Sequence, residues 1–480
     1  MFRKITAILL TIAMLFSICL CACAEENGQP PEPPSGDMAP PDGGNGQPPE
    51  RPDGNPPDGR PGGGGFGGGT PPGGGTSDFT YTAVTEITET AEQAEQTYQS
   101  ETADESALII NTGDAVTISN PTVIKTGDSN GGDNCNFYGL NAGVLAMGGT
   151  TTNITGGIIE TSASGANGVF SYGGNGGRNG AEGDGTTVNI SDTIITTTGD
   201  GSGGIMTTGG GTTNATNLTI TTSGRSSAAI RTDRGGGLVT VDGGSYTTNG
   251  LGSPAIYSTA DITVKNATLV SNLSEGVCIE GKNTITLENC NMTANNTQCN
   301  GNATFHDTIM IYQSMSGDAD SGTSSFTMTG GSLTSQSGHM FHVTNTHAVI
   351  NLSGAQLINE GSDILLSVCD DGWNGASNIA EVNADGQEME GAILVGDNST
   401  LTLTLTNGSA FTGYFSGEIE NAKGETVSTE IGTVNVNLDE SSTWTLTADS
   451  YITSFEGNAA NVTGNGYTLY VNGVALEGIN

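Results

Sequence analysis

Residues 186–282 state one pattern four times, and that repetition constrains the fold more than any other feature. TTVNISDTIITTTGDGSGGIMTTGG begins at Thr186, TTNATNLTITTSGRSSAAIRTDRGG at Thr212, LVTVDGGSYTTNGLGSPAIYSTA at Leu238 and DITVKNATLVSNLSEGVCIEGK at Asp261. Each copy holds short β-branched runs cut by Gly, Asn, Asp or Ser. A unit this short cannot bury a core by itself, so its faces must be covered by the copies before and after it. With 76 Gly and few charged residues, the chain is also poor in helix-forming sequence.

An apolar residue followed by another five positions later marks the period. The pairs are Ile154/Ile159, Ile190/Ile195, Ala215/Ile220, Val241/Tyr246, Val264/Leu269, Leu287/Met292, Met328/Leu333 and Leu352/Leu357. Their first members step by 36, 25, 26, 23, 23, 41 and 24 residues. The two long steps contain insertions, at 175–185 and around 296–322. A period near 24 with two or three short strands per copy predicts an all-β, single-stranded, right-handed parallel β-helix. Roughly twelve coils at ~4.8 Å would make a rod about 60 Å long.

The expected organisation is a signal peptide over 1–23, a disordered Pro/Gly-rich linker over 24–77, an N-terminal cap over 78–106 and the β-helix over 107–480. Arg3 and Lys4 precede the apolar stretch Ala7–Leu20, the layout of an export signal. Leu20-Cys21-Ala22-Cys23 resembles a bacterial lipobox, with Cys23 as the lipidated residue; ordinary cleavage after Ala24 is the alternative. The linker lacks any apolar period and reads as coil or polyproline II. TAEQAEQ in the cap segment reads either as a short helix or as a lead-in strand. The predicted C-terminal cap is the aromatic-rich segment from Trp444. With 12 basic and 51 acidic residues, the chain lacks the basic footprint that nucleic acid requires.

Five cysteines lie beyond the export signal, an odd number without CxxC spacing, which supports neither a disulfide framework nor a zinc site. Pairing of Cys290 with Cys299 across a loop is one expectation, and a buried free thiol at Cys278 is another.

The coil pattern over 107–480 resembles the pectate-lyase-like β-helix superfamily, and within it bacterial surface adhesins. Ser442-Thr443-Trp444-Thr445-Leu446-Thr447 through Asn465-Gly466-Tyr467-Thr468-Leu469 is similar to the closing coils of autotransporter passengers. AIYSTADITVKNA also resembles carbohydrate-binding β-helix domains. Autotransporters carry a membrane β-barrel after the passenger; the expectation here is that none follows and that a lipid at Cys23 is the anchor instead.

A lyase would need a carboxylate cage for calcium and a basic residue to abstract a proton. Arg225, Arg231, Asp233 and Arg234 form the one cationic cluster of the coils, with Asp200 and Asp242 in neighbouring copies. A glycosidase would need two carboxylates held together, and Asp370-Asp371 beside Trp373 is the one adjacent Asp pair. His306, His339, His342 and His347 read as exposed side chains and not as a metal site. No cofactor is indicated.

Aligning the coils puts Val144, Val169, Ile205, Ile230, Ile256 and Ile279 at one inward position. The next residue then faces outward, because successive strand side chains alternate. That position reads Leu145, Phe170, Met206, Arg231, Tyr257 and Glu280, with Tyr312 and His342 continuing it. Two residues on stand Met147, Tyr172, Thr208, Asp233, Thr259 and Lys282. The expectation is an exposed ridge whose Phe170, Tyr172, Met206, Arg231, Asp233, Tyr257, Glu280, Tyr312 and His342 bind a ligand; cover by the N-terminal segment or the 175–185 loop is the alternative. The function expected is that of an exported, membrane-anchored or secreted non-catalytic adhesin for a glycan or a surface protein. A polysaccharide lyase or glycosidase and a ligand-free surface spacer are the competing expectations.

Overall fold

One side chain in each pair five apart sits on one face of the coil and its partner on the next. In the computed structural model, which describes residues 80–175, 182–373 and 377–480, the first members stack in unbroken parallel register from Ile154 to Leu352. The second members do so from Ile159 to Leu357. The expected signal peptide, the linker and Cys23 lie outside the described residues.

The spacing of five has a local cause. The chain bends between the two members through a residue in the left-handed conformation: Asp192 (φ 54°), Asn217 (φ 53°), Asn266 (φ 54°) and Asn289 (φ 52°). Only Gly, Asn and Asp adopt it at low cost, which explains the punctuation seen in the sequence. The bends also bond to one another: Asn217 Nδ2 donates to Asp192 Oδ1 at 2.7 Å, and Asn266 Nδ2 to Asp242 Oδ1 at 2.7 Å.

The architecture is a parallel β-helix. Thirteen strands, one per coil from Ala83–Ile87 to Phe415–Ser416, form one parallel sheet, the front sheet. Two further ladders line the other faces. They merge into one sheet because Gly211–Thr222 and Gly237–Thr248 each run through both. The inward column of the front sheet runs from Leu108 through Val144, Val169, Ile205, Ile230 and Ile256. It continues through Val277, Ile309, Phe341, Leu366 and Ile393 to Phe415. These side chains belong to one continuous buried core.

Residues 83–100 form strands and no helix, and they pair in parallel with the next coil. At the far end Trp444 is buried, stacks on Phe411 at 5.9 Å and donates its Nε1–H to the Gly413 carbonyl at 3.0 Å. The chain finishes with a small antiparallel pairing of Leu469–Val471 and Val474–Ala475. Cys135, Cys278, Cys290, Cys299 and Cys369 are all free thiols, so the Cys290–Cys299 pairing does not form.

Candidate functional site

The front sheet differs from the others in that most of its strands are buried on both faces. Ile205–Thr208, Ile256–Ser258 and His339–Thr344 are buried at every residue, whereas Thr187–Ser191 and Thr284–Glu288 alternate. The outward column of the front sheet is Phe170, Met206, Arg231, Tyr257, Cys278, Met310 and His342. This corrects the predicted column in two ways.

First, the residue beside Tyr257 is Cys278 and not Glu280. Glu280 lies two residues further on and pairs with Tyr312 as expected, so both leave the Tyr257 column, and His342 follows Met310 and not Tyr312. Both Val277 and Ile279 are fully buried aliphatics. A slip of two preserves which residues face in and which face out, so alternation cannot detect it. The cause is the turn between Thr268–Ser271 and Val277–Glu280, which is shorter than the turns preceding Ile230 and Ile256.

Second, the column is not an exposed ridge. Phe170, Met206 and His342 are fully buried, and Arg231, Tyr257, Asp233, Glu280 and Tyr312 nearly so. Three long-range covers roof the sheet. The segment around the five-residue helix Asn134–Tyr138 lies over Phe170 and Tyr172. There Gly139 (φ 79°) leaves no room for a Cβ, which would stand 2.6 Å from Leu145 and 2.9 Å from Phe170. Thr208 Oγ1 donates to the Phe137 carbonyl at 2.8 Å, fixing this cover to the sheet.

The second cover joins residues near 300–305 to residues 371–373. Asp371 Oδ1 accepts from both the amide and the hydroxyl of Thr304, each at 2.6 Å. Phe305 stacks on His342 at 4.6 Å, and Trp373 packs at a tilt against Tyr312 at 4.9 Å. The third cover, around 314–318, is held by Glu280 Oε1, which accepts from the Ser314 and Ser316 hydroxyls.

Between the covers stays an open cleft of about 420 Å³. Its floor is Arg231, Asp233 and Tyr257, and its walls carry Phe137, Asp200, Arg225, Asn300 and Asp318. Arg231 lies over the Tyr257 ring at 5.3 Å, a cation–π contact. Its Nη2 donates to Asp233 Oδ2 at 2.6 Å and its Nη1 to the Ser226 carbonyl at 3.2 Å, while the buried Nε has no partner. Arg234 leaves the floor to pair with Asp318 at 2.5 Å and lies over Phe137 at 4.2 Å. Arg225 Nη2 donates to Asn300 Oδ1 at 3.1 Å.

Burial shapes the acids of the floor. It raises the Asp233 carboxyl to about 6, and nearby Asp318 adds to the rise against the opposing pull of Arg231. Burial likewise raises Glu280, although Ser314 and Tyr257 donate to it. The Tyr257 hydroxyl is pushed well above its ordinary value by burial and by Glu280, to which it donates at 2.5 Å.

Most of the other sequence candidates stand outside the cleft. Asp370 and Asp371 diverge: Asp370 Oδ1 accepts from Asn378 Nδ2 at 2.7 Å, while Asp371 points into the second cover. His339 and His342 are buried, against the expectation of exposed imidazoles, and both place Nδ1 2.8 Å from Ser367 Oγ. Burial, with His342 and His306 nearby, depresses His339 to about 3. Asp200 joins the cleft, but Asp242 belongs to another face, in the ladder shared with Asp261–Lys265. Among the described residues no group of three or more His, Cys, Asp or Glu is placed to hold a metal ion.

Sequence reasoning found the Arg231–Asp233–Tyr257 floor and missed Asn300, Ser316, Asp318 and Phe137. The insertion around 296–322 was the available signal, since extra residues beside one sheet must lie over it. No protein-family model, no curated protein and no solved structure matches the chain.

Proposed function

We propose that this is an exported surface protein that uses the cleft to bind a saccharide without transforming it. The observation that carries the reading is the floor itself: a cation–π pair and a buried carboxylate beneath a cleft with mostly polar walls, where one buried guanidinium N–H is left unpartnered. Sugars present a hydroxyl-rich edge and an apolar face. A few convergent polar groups beside aromatic surface suit both. The apolar period and the export-type N-terminus fit a surface β-helix of the pectate-lyase-like kind, tethered through Cys23.

The lyase reading loses support at Arg231, because a guanidinium held against a carboxylate serves as a charged anchor and not as a base. One observation favours a glycosidase as the second reading: Asp233, raised to about 6, shares the cleft with Asp318. A proton held near neutrality is what a general acid needs.

A glycan array probed with the full chain, with Arg231→Gln and Asn300→Ala as variants, tests the proposal. At least tenfold weaker binding in both variants, with unchanged thermal unfolding of Asn300→Ala, is expected. No glycan bound by the wild-type protein would sink it. Release of reducing ends from a bound polysaccharide, lost in Asp233→Asn, would replace it with the glycosidase reading.

A further inference from the structure

Beside the cleft lies a second, smaller compartment of about 40 Å³, lined by Tyr257, Met310, Tyr312, Trp373, Cys278 and Glu275 among others. Tyr257 and Asn300 line both spaces, so the two share a wall. The compartment is mainly aromatic and sulfur-bearing: Trp373 packs on Tyr312 at 4.9 Å, and Ala303, Met310 and Cys278 complete one buried apolar cluster with them. One wall differs in kind. The indole Nε1–H of Trp373 is buried and has no hydrogen-bond partner. Buried N–H groups are almost always paired, so an unpaired one on a side chain that lines a cavity points to an acceptor from outside. Glu275, fully buried with its carboxyl raised by that burial, adds a polar group to the same lining.

The space is far too small for a sugar ring and large enough for a group of a few heavy atoms. That group must carry an apolar end for Met310, Cys278 and the rings, together with a carbonyl for the Trp373 N–H. An acetyl group on nitrogen meets both requirements. We infer that the compartment is an acetamido subsite, and that the saccharide held in the cleft carries an N-acetylated amino sugar. Its methyl packs against Met310 and Tyr312, and its carbonyl oxygen accepts from Trp373 Nε1. The inference rests on the proposal that the cleft binds saccharide.

Isothermal titration with the full chain separates the two ideas, using N-acetylglucosamine and N-acetylgalactosamine oligosaccharides beside their de-N-acetylated and plain hexose counterparts. The expected result is at least tenfold preference for one acetylated series. Trp373→Phe, which keeps a six-membered ring and removes the pyrrole ring with its N–H, should cut that preference several-fold. Ala303→Leu, which fills the space, should abolish it while plain hexose binding stays unchanged. Equal affinity for acetylated and plain oligosaccharides, both sensitive to Arg231→Gln, would overturn the acetamido subsite and leave saccharide binding standing. No binding of either series would overturn both. Preference retained in Ala303→Leu would place the acetyl elsewhere and overturn the subsite.

Discussion

The front sheet and the Thr187–Ser191 face are built from the same coils, yet their outward side chains live in different solvents. On the Thr187–Ser191 face the outward residues are Thr, Asn and Ser, half-exposed, and Asn side chains bond from coil to coil, as Asn189 Nδ2 does to Asn153 Oδ1 at 2.9 Å. On the front sheet they are Phe170, Met206, Arg231, Tyr257 and Met310, buried beneath segments drawn from distant parts of the chain. A solenoid needs only its inner surface to be apolar. An outer surface that is apolar as well records a second layer of packing, and the gap in that layer is the cleft.

The sharpest way to break this contrast is Phe170→Ala. A covered Phe170 should cost about 3–5 kcal/mol of stability on truncation, while Thr263→Ala on the other face should cost under about 0.5 kcal/mol. Denaturant unfolding of both variants measures the gap, and equal small effects would mean that the front column is in water after all.

Acid tests the second cover. His339 is held neutral by burial, with His342 and His306 alongside, and its folded value of about 3 lies below the ordinary 6.5. The unfolded chain therefore binds the proton more readily, so this contribution is intact above about pH 6.5 and is lost as pH falls toward 3. Thermal unfolding against pH should show a decline over that window worth a few kcal/mol. Asp371, on the other side of His342, is itself held low by that imidazole and by Thr304, although its burial alone would raise it, and adds acid sensitivity below the ordinary carboxylate range. In His339→Gln the decline between pH 6.5 and about 4 should shrink; an unchanged profile would remove His339 from the explanation.

The smallest effect belongs to the bends. Asn266→Ala places a Cβ-bearing side chain without a local bond at φ 54° and should cost about 1–2 kcal/mol, while Asn266→Gly should recover most of it. Equal losses in both would assign the cost to the bond with Asp242 instead.

The sequence carried the inner architecture almost completely. The pairs from Ile154/Ile159 to Leu352/Leu357 are ladder neighbours, because inward packing and the left-handed bend are both local demands. It carried the floor of the site less well. Arg231 and Tyr257 were placed side by side, but Glu280 was placed where Cys278 stands, since parity survives a slip of two. It did not carry the covers. Arg234 meets Asp318 84 residues away, Arg225 meets Asn300 75 away and Thr304 meets Asp371 67 away. No periodicity encodes such pairings. One clue was present: Ile309-Met310-Ile311-Tyr312 and Ala392–Val395 lack alternation, and a strand without alternation is buried on both sides.

The shortened turn before Val277 acts as a setting on a combination lock. Shortening such a turn by two residues keeps the strand's parity, with its remaining aliphatics inside, and advances the outward side chains by one notch past their neighbours. Tyr257 would then face Glu280 in the adjacent strand where it now faces Cys278. A change of one residue jams the lock, turning the core outward. Insertions and deletions in pairs can thus rewrite what the cleft offers a ligand while the core that holds the coils together is left as it was.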